Sequence, residues 1–228
     1  MSKCEQCIVR QFNSLKALTK DELVRISSCK TSKFVAKGDV IFNEGEHLNG
    51  VYCVRDGVCK VSKLSENGKD HIIKLLKKGD IIGQRSLLNN EATNLSAVAL
   101  QDMELCFIPK AEIIHDLNKN ANFSMEMLRN LAENVRDTDN MVIDFAQKSV
   151  KQRLAKSLVL FQNTFGEDTE GYLDLVLTRE EIANIIGTAT ESAIRLISEF
   201  KKNKLIETSG KKIKVLDIQA LEKLSSGF

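Results

Sequence analysis

The sequence predicts an α+β chain in three parts: an N-terminal double-stranded β-roll (jelly roll), a long dimerisation helix and a C-terminal winged helix-turn-helix. Three observations predict it. Short β-like runs punctuated by glycine fill Lys33 to Pro109, apolar residues step by threes and fours from Leu128 to Phe145, and two capped helical patterns lead into a basic hairpin between Leu177 and Leu216. The expected boundaries are 1–120 for the roll, 121–148 for the long helix and 149–228 for the C-terminal domain.

Composition bounds the rest. A chain of 228 residues with 43% hydrophobic content can bury real cores, and a formal net charge of +2 creates no global field, so any attraction to an acidic polymer must be local. No stretch approaches 18 consecutive apolar residues and Met1 to Arg10 has no apolar signal core. A cytoplasmic protein without membrane contact is expected. In that compartment six cysteines read as thiols, metal ligands or redox sensors before structural disulfides.

Asp21 to Ser28 reads as a short helix with Leu23, Val24 and Ile26 partly buried. Eight runs follow: Phe34 to Ala36, Val40 to Phe42, Gly50 to Val54, Val58 to Leu64, His71 to Leu76, Ile81 to Gly83, Leu95 to Leu100 and Glu104 to Ile108. Many short strands at this spacing indicate a sandwich or barrel. Lys37-Gly38-Asp39-Val40-Ile41 returns as Lys78-Gly79-Asp80-Ile81-Ile82, as two equivalent corners of a double-sheet roll would require.

After Pro109 the period becomes helical. Leu128, Leu131, Val135, Thr138, Val142 and Phe145 form the a/d seam of a coiled coil, for which a second copy of the chain is the natural partner; packing on its own roll is the alternative. A further helix, Ser149 to Phe165, turns Val150, Leu154, Leu158 and Phe161 inward, and Gly166 to Gly171 is an acidic loop.

Thr178 with Glu181 is a capping box, Ile182, Ile185 and Ile186 form one stripe, and Gly187 ends the helix. Thr188 with Glu191 is expected to cap the next, which buries Ala193, Leu196, Ile197 and Phe200 and shows Thr190, Glu191 and Arg195 on the other face. Such a pair lays the first turn of its second helix against base edges in the major groove, although an ordinary helical hairpin has the same pattern. Strands at Leu205 to Thr208 and Lys212 to Leu216 make a wing. From Arg195 to Lys214 seven basic residues face Glu199 and Glu207, a local excess of five charges suited to phosphates.

This order of elements, with Arg153-Leu154-Ala155 at the junction, resembles the Crp/Fnr family of bacterial transcription regulators from about Phe34 to Asp217. Thr178, Arg179, Ile182, Gly187, Glu191, Ser192 and Arg195 match its recognition signature. The resemblance implies a homodimer on palindromic double-stranded DNA, with RNA polymerase as partner and no enzymatic activity. Base readout would fall to Glu191 and Arg195, since a carboxylate accepts from cytosine N4 and a guanidinium grips guanine O6 and N7. Thr178, Arg179, Thr188, Thr190, Ser192, Lys211 and Lys212 complete the expected DNA contacts. Thr190 replaces the arginine of the cyclic-AMP branch and Ile194 the serine of the oxygen-responsive branch, which leaves the operator sequence open.

For the roll, the family's cyclic-nucleotide site aligns with Gly83-Gln84 and with Asn94-Leu95 or Leu95-Ser96, without the arginine that holds the cyclic phosphate. Cyclic AMP is therefore not expected; Gly83, Gln84, Arg85 and Ser96 are the candidates for a different small anion. Cys4 and Cys7 form a C-x2-C pair, and Cys106 matches the roll cysteine of the oxygen-sensing branch, so the resemblance implies a [4Fe-4S] cluster. That branch has a third N-terminal cysteine where this chain has Asn13; Cys29 or a carboxylate is the substitute considered. Cys53 and Cys59 are expected in the core. A thiol switch, zinc, or cysteines with no sensory part remain alternatives, as does an anionic effector with no cluster.

Two other classes stand beside this reading. A cupin-like metal enzyme needs clustered histidines, whereas His47, His71 and His115 are widely separated. A ligand-binding module whose winged helix docks on protein would keep the roll but not require Glu191 and Arg195.

Overall fold

The computed structural model describes residues 4–66 and 68–227. Its contacts divide the chain into two units, one holding Met1–Leu64 and Ile73–Asp137, the other Ser65–Ile72 and Thr138–Phe228.

The first unit begins with three 3-10 turns, Cys4–Gln6, Ile8–Phe12 and Ser14–Ala17. Helix α1 (Lys20–Cys29) starts at a capping box in which Thr19 accepts from the Glu22 amide and Glu22 returns to the Thr19 amide. Strands β1 (Thr31–Val35), β2 (Val40–Phe42), β3 (Gly50–Asp56), β4 (Cys59–Leu64), β5 (Asp70–Leu76) and β6 (Ile81–Ile82) come next. Then follow α2 (Gln84–Asn89), β7 (Ser96–Ala99), β8 (Met103–Pro109), α3 (Lys110–Lys119) and α4 (Ala121–Gln147). The strands make two four-stranded sheets, β1-β8-β3-β6 and β2-β7-β4-β5, the double-sheet roll that the glycine spacing predicts.

The repeated Lys-Gly-Asp segments are equivalent corners. Gly38 and Gly79 take φ +90 and +100, and each leads into an edge strand, β2 in one sheet and β6 in the other. Only glycine reaches that backbone region without strain.

The central strands β8 and β3 of the β1-β8-β3-β6 sheet are buried on both faces, because their residues alternate between two cores. Val54, Met103 and Leu105 join Val35, Phe42 and Val61 inside the roll. Val51, Cys53, Cys106 and Ile108 join Leu23, Ile26, Ile113, Phe123 and Met127 in a layer of helices and 3-10 turns outside it. Phe123 and Met127 fix the start of α4 there; burying each contributes roughly 1.5 to 3 kcal/mol.

Beyond those anchors α4 is largely unpacked in the single chain. Leu128, Val135 and Val142, each seven residues after the last, are 59–60% exposed, and Ile143 is exposed beside them. An apolar row of this kind is left bare by a helix that has no partner within its own chain.

In the second unit, α5 (Val150–Phe165) starts at a Ser149–Gln152 capping box and buries Leu154, Ala155, Leu158 and Phe161. Helices α6 (Arg179–Ile186) and α7 (Thr190–Lys202) follow, then the hairpin β9 (Ile206–Ser209) and β10 (Lys212–Val215), and last α8 (Ile218–Ser226), which packs on α5. The pattern had not revealed α8. One cap also differs from expectation: the residue preceding α7 is Ala189, with no side-chain cap, and Thr188 lies in the turn, its amide bonded to the Ala183 carbonyl at 3.0 Å. Closing α6 with both Gly187 and Thr188 pushes the start of α7 one residue along.

Candidate nucleic-acid interface and sensor cavity

Helix α7 is held by its buried face, Ala193, Ile197 and Phe200. Glu191 and Arg195, one turn apart, are exposed on the other side, with Thr190 and Ser192 half-buried near the first turn and Ile194 exposed between them. Among the described residues Arg195 enters no salt bridge. A guanidinium four residues from a carboxylate, neither in a salt bridge among the described residues, near the N-terminal end of a helix, suits base edges and phosphates.

The remaining predicted contacts divide. Thr178 forms the capping box of α6, accepting from the Glu181 amide at 3.1 Å, so its hydroxyl is committed to the helix. Arg179 reaches across to the wing, donating from Nη2 to the Gly210 carbonyl at 2.9 Å, and burial holds its pKa below the usual value. It ties the wing to the helix pair. Lys211 is exposed at the wing turn, whereas Lys212 donates to Asp168 at 2.8 Å and Glu170 at 3.3 Å, which raises its pKa. Lys214 is likewise turned toward the acidic loop, to the Glu170 carbonyl at 3.0 Å. Part of the local positive excess is thus neutralised within the chain.

The turn between α6 and α7 is fixed from beneath. Gly187 has φ +64, and a Cβ there would stand 2.3 Å from Cε1 of Phe145. The Phe145 ring in turn lies under the Arg153 guanidinium, 4.7 Å to centroid, and Arg153 donates to the carbonyls of Ile186 at 2.8 Å and Lys148 at 2.6 Å. Phe145, read from its spacing as the last seam residue, touches the helix-turn-helix of its own chain with one side of its ring while staying 41% exposed. Its period does not reveal this contact. Gly187→Ala is expected to cost about 1 to 3 kcal/mol through strain and this clash. A fall in the thermal midpoint checks it; an unchanged midpoint would show that the ring gives way freely.

In the first unit, Cys4, Cys7, Cys53 and Cys106 line one small cavity together with Arg10, Lys30 and Arg55. Apolar Leu15, Leu23, Ile26 and Ile108 close it. Lys30 is buried, with Nζ 3.9 Å from Cys106 Sγ. Burial pushes the Cys106 thiol up, opposed by Lys30 and Arg55; burial, then the neighbouring sulfurs, push Cys53 up to about 12. A metal that bound Cys53 would therefore have to displace its proton. As it stands, no group of three or more His, Cys, Asp or Glu among the described residues is arranged to hold a metal ion. Cys29 is elsewhere: its thiol donates to the Arg25 carbonyl at 3.0 Å. Cys59 is buried in the roll interior, as expected.

The residues named for an anion each have partners within the chain or a place in its backbone. Gly83, at φ +91, precedes α2; Gln84 is buried and donates to Asn130 Oδ1 of α4 at 2.5 Å. Arg85 is exposed and donates to the Asn94 side chain, while Ser96 Oγ accepts from the Glu44 amide at 2.9 Å. Among the described residues no helix is long and apolar enough to cross a membrane.

Residues 32–120 match the family described as cyclic nucleotide-binding domain, and residues 152–224 match the Crp-like helix-turn-helix domain. The transcriptional activator protein Anr of Pseudomonas protegens is 28% identical, covering 91% of this chain and 83% of that protein. The fumarate and nitrate reduction regulatory protein of Escherichia coli is 26% identical, over 97% of this chain and 90% of that protein. Among solved structures, FixK2 from Bradyrhizobium japonicum has the same fold, with a TM-score of 0.78 at 21% identity, covering 86% of this chain and 96% of FixK2.

Proposed function

The chain belongs to the Crp/Fnr family of DNA-binding transcription regulators, and from that membership we propose that it acts as a homodimer whose two α7 helices read an inverted-repeat operator under control of the cysteine-lined site. The observation that carries the DNA part is the exposed Glu191 and Arg195 pair on a helix anchored by its opposite face. Thr190 and Ser192 flank that pair, and Lys211 supplies a phosphate contact from the wing. The bare row of Leu128, Val135 and Val142 supports pairing through α4, with Leu131 and Thr138 in the alternate positions of the seam. Two helices so paired read half-sites about one DNA turn apart. RNA polymerase is the protein partner that this kind of regulator implies.

For the sensor, redox or oxygen response through a [4Fe-4S] cluster is the reading that the donor set supports best. Four sulfurs share one cavity with Arg10, Lys30 and Arg55, the last paired with Glu104 at 3.3 Å, and a cluster with four thiolate ligands would carry net negative charge beside them. When bound, the cluster would supply a redox-labile group between the 3-10 turns and the β3-β8 strands. The chain's own part is to place sulfurs, exclude water and hold the N-terminal segment against the roll. An anionic effector at Gly83 to Ser96 has less support, since Arg85 and Ser96 serve other partners.

Fluorescence anisotropy on an inverted-repeat duplex tests the DNA reading. Lys211→Ala is expected to lower the dependence of log affinity on log salt by about 1, the loss of one phosphate contact, and Lys212→Ala to lower it less because Lys212 is already paired. Equal effects of the two would place both lysines on the DNA. No preference for the duplex over unrelated DNA would overturn the reading.

A further inference from the structure

We propose that Cys53 is the fourth ligand of the cluster, with Cys4, Cys7 and Cys106, taking the part that Asn13 leaves open; this rests on the cluster reading above. Cys53 on β3 and Cys106 on β8 are direct register partners in the antiparallel ladder. Side chains so paired leave the sheet on the same face with Cβ atoms about 4.5 to 5.5 Å apart. Both therefore face the N-terminal turns that carry Cys4 and Cys7, and all four line the same cavity.

The other candidates do not reach it. Cys29 is bonded to its own helix, and among the described residues no aspartate or glutamate lines the cavity. Asn13 is buried and already engaged: its side chain accepts from the Leu15 amide at 3.0 Å and donates to the Gly79 carbonyl at 2.9 Å. The same Nδ2 lies 3.4 Å from Cys53 Sγ. The residue standing at the missing cysteine's place thus offers an N–H to the sulfur that replaces it, and hydrogen bonds to cluster sulfurs raise the reduction potential.

The cavity is about 20 Å³, room for a single water, so a cluster cannot enter without displacing something. The sheet side is paired without a break from Gly50 to Val54 of β3, the register shifting only beyond it, at Arg55. The other side is the pair of short 3-10 turns Cys4–Gln6 and Ile8–Phe12, where the Cys4 amide donates to Ser27 Oγ at 2.5 Å and the Ser27 hydroxyl to Glu5 at 3.1 Å. Loading therefore moves the N-terminal turns outward and leaves β3 and β8 in place.

Ligation can be written as thiolate exchange. A preformed [4Fe-4S]2+ cluster carrying four small thiolates RS−, net charge 2−, meets four cysteine thiols; four Fe–S(cysteine) bonds replace four Fe–SR bonds. The four thiol protons leave on four RSH, and no electron is transferred. The test supplies such a synthetic cluster, without oxygen, to the full-length chain and to Cys53→Ala, Cys53→Ser, Cys29→Ala and Cys59→Ala, reading iron, sulfide and the visible spectrum. Wild type, Cys29→Ala and Cys59→Ala are expected to hold about four irons per chain. Cys53→Ala is expected to hold far less, and Cys53→Ser to hold a cluster with a shifted spectrum. In wild type, amide exchange of residues 4–17 is expected to change on loading while that of 50–56 does not.

A Cys53→Ala chain that loads like wild type overturns the ligand assignment and leaves the cluster reading intact. Should circular dichroism show that variant unfolded, Cys53→Ser decides, and a spectrum identical to wild type overturns the assignment. A wild-type chain that takes up no iron overturns both.

Discussion

Arg195→Ala is expected to weaken operator binding by about 5- to 150-fold at matched salt, the equivalent of roughly 1 to 3 kcal/mol for one good bidentate contact. The side chain is exposed, lies one turn from Glu191, and enters no salt bridge among the described residues, so little is lost from the fold when it is removed. Neighbouring Ala193, Ile197 and Phe200 keep the helix in place. The loss should concentrate at one base pair in each half-site: changing that pair weakens wild type but leaves the variant unaffected. Anisotropy titrations on the operator and its single-base variants measure this. Unchanged affinity, or an equal loss on every sequence, would remove Arg195 from base readout and leave it at most a phosphate contact.

Placing charge in the α4 seam is expected to have the larger effect. With Leu128 and Val135 both changed to glutamate, two carboxylates per chain would meet their counterparts across a twofold axis in an apolar seam, a burial that must be relieved by dissociation. Sedimentation should show a dimer for wild type and a monomer for the variant. Operator affinity should fall about 1,000-fold or more, toward the non-specific level, because a single half-site remains. The two side chains are exposed in the single chain and the buried anchors Phe123 and Met127 are untouched, so the roll should unfold at the wild-type temperature. A variant that stays dimeric would mean that the subunits pair through another surface.

Much of this arrangement was legible in the residues. The glycine corners and alternating runs mark all eight roll strands, because turns that need positive φ and strands with two faces leave local signatures. The capping box at Thr178 is equally local. What was not legible depends on distant contacts. The repeat of threes and fours that ends at Phe145 says nothing of the contact between its ring and Gly187, which only the packed turn shows. Alternation on β3 puts Cys53 in the core, but the register that sets it opposite Cys106 joins residues 53 apart in the chain. The short 3-10 turns and α2 carry too few residues for periodicity to rise above noise. Thr188 fits a capping pattern, yet the two-residue closure after Ile186 shifts the helix start beyond it.

The same contrast separates the wing lysines. Counting charge along Arg195 to Lys214 treats each as available, whereas the acidic loop from Glu167 to Glu170 folds back and holds Lys212 and the Lys214 ammonium. Lys212 and Lys214 also lie over the Tyr172 ring, 5.5 and 5.8 Å to centroid. Of the seven basic residues counted there, the acidic loop holds two and leaves Arg195, Lys201, Lys202, Lys204 and Lys211.

Selection of bound duplexes from a random DNA pool by the full-length chain tests most directly whether two α7 helices are presented to DNA together. The expected result is an enriched inverted repeat with half-sites about 10 base pairs apart, centre to centre, and loss of the preference at one position per half-site with Arg195→Ala. An enriched single site without symmetry, or no enrichment over the starting pool, would contradict it.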